Sequence, residues 1–256
     1  MYTHNLNPIL LDFGFIAIRW YSLAYIFGIL IGWWYGKKII ITILKQTKFK
    51  FDLREFDDLI SYLVVSIIIG GRLGYVLFYN LEFYILNPLN IIKIWEGGMS
   101  FHGALLGIVA GTYLFSVKRG ISIFFLLDVI ACVAPIGIFF GRIANFINSE
   151  LYGIETNLPW AVKFVKIDNL YRHPSQLYEA FFEGIILFII LKIFYKKYNK
   201  YPGKVSAIFL ILYSLFRFLI EFVREPDHQL GYLFLNLSMG QLLSVIFFSF
   251  GTFLFI

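Results

Sequence analysis

Apolar stretches long enough to cross a hydrocarbon core recur along this chain, at about 13–36, 57–79, 100–117, 121–141, 175–195, 204–224 and 237–256. A core about 30 Å thick is crossed by about 20 apolar residues in helix. Such segments cover most of the 256 residues and leave no room for a soluble domain. Composition agrees: 59% of residues are hydrophobic and 15% charged, where a soluble domain averages about a quarter charged. The expected fold is an all-α integral membrane protein, a bundle of seven transmembrane helices forming one domain over 1–256. The chain opens on Met1-Tyr-Thr-His-Asn without the basic start of a cleavable signal, so the first span is expected to stay.

Loop charge orients the bundle. Lys37, Lys38, Lys45, Lys48, Lys50 and Arg54 follow the first span, Lys118 and Arg119 the third, and Lys192, Lys196, Lys197, Lys200 and Lys204 the fifth. The alternate loops carry few basic residues or balance them with acids. The positive-inside rule then places the N-terminus outside and the C-terminus in the cytoplasm. More than half of the 22 basic residues lie in those turns, so the net charge of +6 reflects topology and anionic headgroups, and no nucleic-acid partner is expected. The lone Cys132 sits in an apolar run and the four histidines are far apart, which offers no metal site.

Against this background the polar residues stand out. The segment Gly141-Arg-Ile-Ala-Asn-Phe-Ile-Asn-Ser-Glu-Leu-Tyr-Gly153 places Arg142, Asn145, Asn148 and Glu150 at the outer end of the fourth span. His102 opens the third span and His173-Pro-Ser-Gln176 the fifth, where Gln176, Glu179 and Glu183 continue along one helical face. Arg217, Glu221 and Arg224 share one face of the sixth. Tyr25 adds a hydroxyl from the first. A charge at the centre of a membrane helix costs roughly 2.5–3.5 kcal/mol on insertion scales, so several on one side imply a wet cavity. Two arginines, Arg142 and Arg217, suit an anion such as a lipid phosphate. Arg72 and Asp128 read as structural.

The 141–153 segment resembles the signature of prolipoprotein diacylglyceryl transferases, matching it at Gly141, Arg142, Ala144, Asn145, Phe146, Ile147, Asn148, Glu150 and Gly153. The likeness extends through His102-Gly103, His173-Pro-Ser-Gln-Leu-Tyr-Glu179, Arg217 with Glu221, and Ser238-Met-Gly-Gln241; Ala104 stands where many relatives carry a second glycine. The resemblance implies a bacterial inner-membrane transferase with its active site toward the outer face. Its substrates would be phosphatidylglycerol and the lipobox cysteine of a preprolipoprotein, its products a thioether and glycerol 1-phosphate, with no metal or organic cofactor. Arg142 and Arg217, with Glu221 and Gly153, would bind the lipid headgroup, and Glu150 and Glu221 would orient the arginines. Either His102 or Glu150 would serve as general base, and Tyr25 and Asn145 would donate hydrogen bonds. The competing reading is a seven-helix anion or lipid transporter, which would call for polar access from both faces.

Overall fold

The computed structural model describes residues 1–14, 17–46, 51–226 and 237–256, apart from the side chains of Gln46, Glu96, Phe101 and His102. Lys48, Lys50, Asp227 and His228 lie outside the described residues. The chain is mostly helical and divides into two compact units, residues 39–127 and residues 1–38 with 128–256.

The 39–127 unit is built on α2 (Leu53–Tyr79) and α4 (Phe101–Arg119). Asp52 starts α2 with a capping box, accepting from the Arg54 amide at 2.9 Å while Glu55 reaches back. Ser100 caps α4. The two helices touch backbone to backbone: a Cβ on Gly74 would lie 2.7 Å from Gly103 Cα, and one on Gly70 2.9 Å from Gly107 Cα. Small residues at such spacing let helices pack closely where lipid supplies no hydrophobic drive. Between them the chain forms the short α3 (Leu81–Leu86) and the 3₁₀ turns Pro88–Ile92 and Ile94–Glu96.

Arg72 holds those turns. Its guanidinium donates to the carbonyls of Ile91 at 2.9 Å, Asn90 at 2.6 Å, Lys93 at 3.2 Å, Gly98 at 3.1 Å and Gly97, and stands over the Tyr84 ring. Five carbonyls around one buried cation give it the structural role that its place among glycines suggested.

The other unit begins with three short strands. β1 (Tyr2–His4) pairs in parallel with β4 (Val162–Phe164), which pairs antiparallel with β5 (Tyr171–Arg172). A separate hairpin joins β2 (Ile9–Asp12) to β3 (Ala17–Arg19). These strands amend the purely helical expectation and shift the first span. α1 runs over Trp20–Gln46 rather than 13–36. Its start is displaced by the hairpin, in which the Gly14 amide donates to Asp12 Oδ1 at 2.9 Å. Its end extends because Lys37 and Lys38 fold back over the rings of Trp33 and Trp34 at 4.3 and 3.6 Å.

α5 (Ile123–Asn148) also outruns its expected end at 141, so Arg142 and Asn145 are helical residues. The expected span 175–195 is composite: α6 (Ser175–Glu179) passes through a π-helical stretch, Ala180–Ile186, into α7 (Leu187–Tyr198). α8 (Lys204–Ile220) continues as the 3₁₀ turn Glu221–Val223, and α9 covers Met239–Phe255. Asp128 caps α8 from a distance in sequence, accepting from the Gly203 and Ser206 amides at 2.7 Å each and from the Ser206 hydroxyl at 2.6 Å. Among the described residues four helices are long and apolar enough to cross a membrane, Trp20–Lys45, Leu53–Tyr79, Ile123–Asn148 and Lys204–Val223, and Met239–Phe255 is a shorter apolar helix.

Replacing Arg72 by Met strands several carbonyls at once. The expected cost is about 3 kcal/mol or more, measured as earlier unfolding of the purified protein in detergent.

Candidate functional site

The end of α5 turns sharply. The Ser149 amide donates to Phe146 O at 3.0 Å and the Glu150 amide to Asn145 O at 2.9 Å, while Ser149 and Leu151 take left-handed φ values of 61° and 56°. Non-glycine residues reach that region at a cost, so the surroundings must hold them there. Gln176 Nε2 donates to Glu150 O at 2.5 Å, the Ser175 hydroxyl to Leu151 O at 2.9 Å, and the Ser149 hydroxyl lies 3.2 Å from His4 Nδ1. His4 is fully buried against Phe146 and Phe164. The motif at the head of α6 and the N-terminal strand together fix the turn.

That turn aims Glu150 at amides. Its carboxylate accepts from Asn145 Nδ2 at 3.1 Å and Asn148 Nδ2 at 3.2 Å. No ion pair joins it to an arginine among the described residues, which corrects the expectation that Glu150 orients them. The reason is positional: Glu150 lies beyond the helix end, while Arg142 meets Glu179 and Glu183, which follow one another from α6 into the π-helical stretch. Tyr25 is exposed, with its hydroxyl 3.4 Å from that of Tyr21 and within electrostatic reach of Glu150. Gly153 is a close-approach residue. A Cβ there would lie 2.5 Å from His173 Cβ, and its amide donates to His173 O at 2.9 Å.

One turn below, Arg142 meets a buried ionic cluster. Fully buried Glu179 stands at its centre. Its Oε1 accepts from Arg217 Nη1 and, at 2.9 Å, from Arg224 Nη1, and its Oε2 lies 3.2 Å from Arg142 Nε. Glu183, also fully buried, places Oε2 3.5 Å from Arg142 Nη2. Glu221 pairs with Arg217 Nη2 at 2.9 Å as expected and accepts the Ser238 hydroxyl at 3.0 Å. Ser238 and Gln241 form the capping box of α9, and Gly240 leaves room for Glu221, since a Cβ would lie 2.6 Å from its Oε1. The Ser-Met-Gly-Gln motif therefore serves as a socket for the Glu221 carboxylate.

The three arginines differ in how far they are used. Arg217 makes hydrogen bonds or close pairs to two carboxylates, and Arg224 bonds Glu179. Arg142 has ion pairs at 3.2 and 3.5 Å but neither closes a hydrogen bond: Glu179 Oε2 and both Glu183 oxygens are buried without a donor. Its guanidinium is neutralised and still holds N–H groups to offer, on a side chain that keeps 15% of its surface exposed. That arrangement can accept an anion.

Glu179 and Glu183 were visible in sequence as polar positions four apart, but their partners came from α5 and α8. His102 lies in the first turn of α4. Its side chain is outside the described set, and it belongs to the other unit. Among the described residues no group of three or more His, Cys, Asp or Glu side chains could hold a metal ion.

Outside the membrane helices, Arg172 ties the sheet to the site, donating to Asp168 Oδ2 at 2.7 Å, Glu225 Oε2 at 3.1 Å and Gly153 O at 3.1 Å. The guanidinium holds the Asp168 carboxyl below the usual carboxylate range. Burial holds the imidazoles of His4 and His173 below the usual histidine value. Both are favoured neutral in the fold, so stability is lost as pH falls below about 6.5, where the unfolded chain takes protons more readily. Protection factors for hydrogen exchange at β1 and β4, taken relative to intrinsic rates at each pH, are expected to fall on mild acidification, and His4→Gln to weaken that response.

The sequence pattern that defines the prolipoprotein diacylglyceryl transferase family matches residues 8–256. A phosphatidylglycerol–prolipoprotein diacylglyceryl transferase of Rickettsia felis is 51% identical over 252 residues, covering 98% of this chain and 96% of the relative. Proteins of the same name from Ehrlichia ruminantium and Ehrlichia canis are 50% and 52% identical, over 94% and 91% of this chain and 93% and 88% of their own lengths.

Proposed function

The chain belongs to the prolipoprotein diacylglyceryl transferase family, and from that premise we propose that it moves the diacylglyceryl group of phosphatidylglycerol onto the lipobox cysteine thiol of preprolipoproteins. The sulfur forms a bond to the diacylglyceryl carbon as that carbon's bond to the phosphate oxygen breaks. A thioether-linked prolipoprotein and glycerol 1-phosphate result. The thiol proton passes to a base, and no metal or organic cofactor takes part.

The observation that carries the reading is Arg142, a partly exposed side chain whose neutralised guanidinium has N–H groups still to offer. It holds the lipid phosphate and offsets the charge that grows on the departing glycerol phosphate, as preorganised electrostatics requires. Arg217, fixed by Glu179 and Glu221, adds positive potential from behind. Asn145, hydrogen-bonded to Glu150, orients headgroup oxygens, and Tyr25 of α1 donates a hydrogen bond to them. Gly153 supports headgroup binding through the tight turn that it permits.

For the base, His102 is supported by the resemblance and by the fit of an imidazole to proton transfer near neutrality. Glu150 is the alternative, although its two oxygens accept from amides. The seven-helix bundle acts as one catalytic domain in the bacterial inner membrane, with its N-terminus and active site toward the outer face. The basic loops support this orientation.

Arg142→Lys keeps charge but loses the planar fork. Transfer from phosphatidylglycerol to a lipobox peptide is expected to fall by roughly 10²-fold or more, and a loss under about threefold would remove Arg142 from the phosphate. In the same assay His102→Ala should abolish thioether formation if the imidazole is the base, and near-normal activity assigns the base to Glu150.

A further inference from the structure

Glu183 has no place in the chemistry above, yet it is fully buried with neither carboxylate oxygen hydrogen-bonded. It lies in the π-helical stretch Ala180–Ile186, a departure from regular helix that often accompanies function. Gly184 seats this stretch against α5, since a Cβ there would lie 2.8 Å from Phe139 Cβ. Glu183 is thereby brought beside Arg142, one helical turn from Phe139.

Charged and titratable groups act on Glu183 from several elements. Arg142 comes from α5, Glu179 from α6, Tyr213 and Arg217 from α8, and Arg224 from the segment after it. Arg217 and Arg224 direct their hydrogen bonds to Glu179, and Arg217 pairs also with Glu221. Arg142 is the one ion-pair partner of Glu183 among the described residues, at 3.5 Å. Both Glu183 oxygens are buried without a hydrogen-bond donor, and a buried charge with so little compensation is costly, a cost that protonation relieves.

We propose that Glu183 is the displaceable counterion of Arg142: it neutralises the guanidinium in the resting site and yields it to the phosphate when phosphatidylglycerol binds. This rests on the assignment of Arg142 to the lipid phosphate. Among the described residues, three arginines and the three carboxylates of Glu179, Glu183 and Glu221 make the cluster formally neutral. Adding a phosphodiester leaves it one negative charge in excess. Glu183 then takes one proton from the aqueous phase, becoming a neutral carboxylic acid, and returns it when glycerol 1-phosphate leaves and Arg142 is available again. Glu183 is a positioning residue in this account. It touches Arg142 and not the reacting atoms.

The consequence separates this role from a structural one. A merely structural Glu183 would give variants with poorer lipid binding, whereas a displaceable counterion competes with lipid and its loss improves binding. The test is the kinetics of full-length purified protein with phosphatidylglycerol vesicles and a lipobox peptide, from pH about 6 to about 9. In the native protein KM for phosphatidylglycerol is expected to rise with pH, by up to about tenfold per unit, because binding carries a proton. Glu183→Gln should lower KM at the alkaline end by about tenfold, flatten its pH dependence and reduce kcat through slower product departure. A KM in Glu183→Gln equal to or above the native one, or an unchanged pH slope, overturns the proposal. If that variant does not accumulate, Glu183→Asp serves: the shorter carboxylate draws back from Arg142, so KM should fall while the pH slope stays, and an unchanged or raised KM overturns the proposal. Arg142→Gln in parallel distinguishes the two levels of failure. A native KM there removes the phosphate from Arg142 itself, whereas a large rise beside an unaltered Glu183→Gln removes the counterion alone.

Discussion

A carboxylate with no solvent exposure, Glu179, sits among apolar helices and gathers Arg142, Arg217 and Arg224. Removing any partner would leave uncompensated charge where dielectric screening is weak, at a cost of several kcal/mol. The surrounding structure is arranged to keep the set complete. Gln176 and Ser175 at the head of α6 fix the turn after α5, and that turn holds Glu150 against Asn145. The capping box of α9 presents Ser238 to Glu221, which in turn fixes Arg217. Motifs far apart in sequence thus serve one electrostatic centre.

The centre explains why Arg142 can be reactive rather than merely paired. Arg217 and Arg224 have close acceptors, so they contribute potential with little freedom. Arg142 is compensated in charge but incomplete in hydrogen bonding. Charge compensation lets the cation exist at membrane depth, and incomplete hydrogen bonding leaves N–H groups to pair with the oxygens of an anion such as a phosphate. The proposed exchange between Glu183 and phosphate follows from that same incompleteness.

The sequence made the polar positions legible because charged and amide side chains are conspicuous in apolar helices. Arg142, Arg217 and Glu221 could be named, and the Arg217–Glu221 pair could be read from its helical spacing. The partner of Arg142 could not: Glu179 is remote in sequence, and only packing of α6 against α5 brings them together. Glu150, expected from the resemblance to orient the arginines, is instead sent to Asn145 and Asn148 by the left-handed turn at Ser149 and Leu151, which residue types alone do not reveal. The strands also escaped notice. Segments of two to four residues have too little alternation to register, and β1 pairs with β4 across most of the chain.

The central claim, that Arg142 is the lipid-phosphate ligand, is tested most directly by the lipid retained through purification. Mass spectrometry of the native protein and of Arg142→Gln, prepared in parallel in mild detergent, should find phosphatidylglycerol held by the former and largely lost from the latter, with annular lipids retained by both. Equal retention of phosphatidylglycerol by the two proteins would contradict the account.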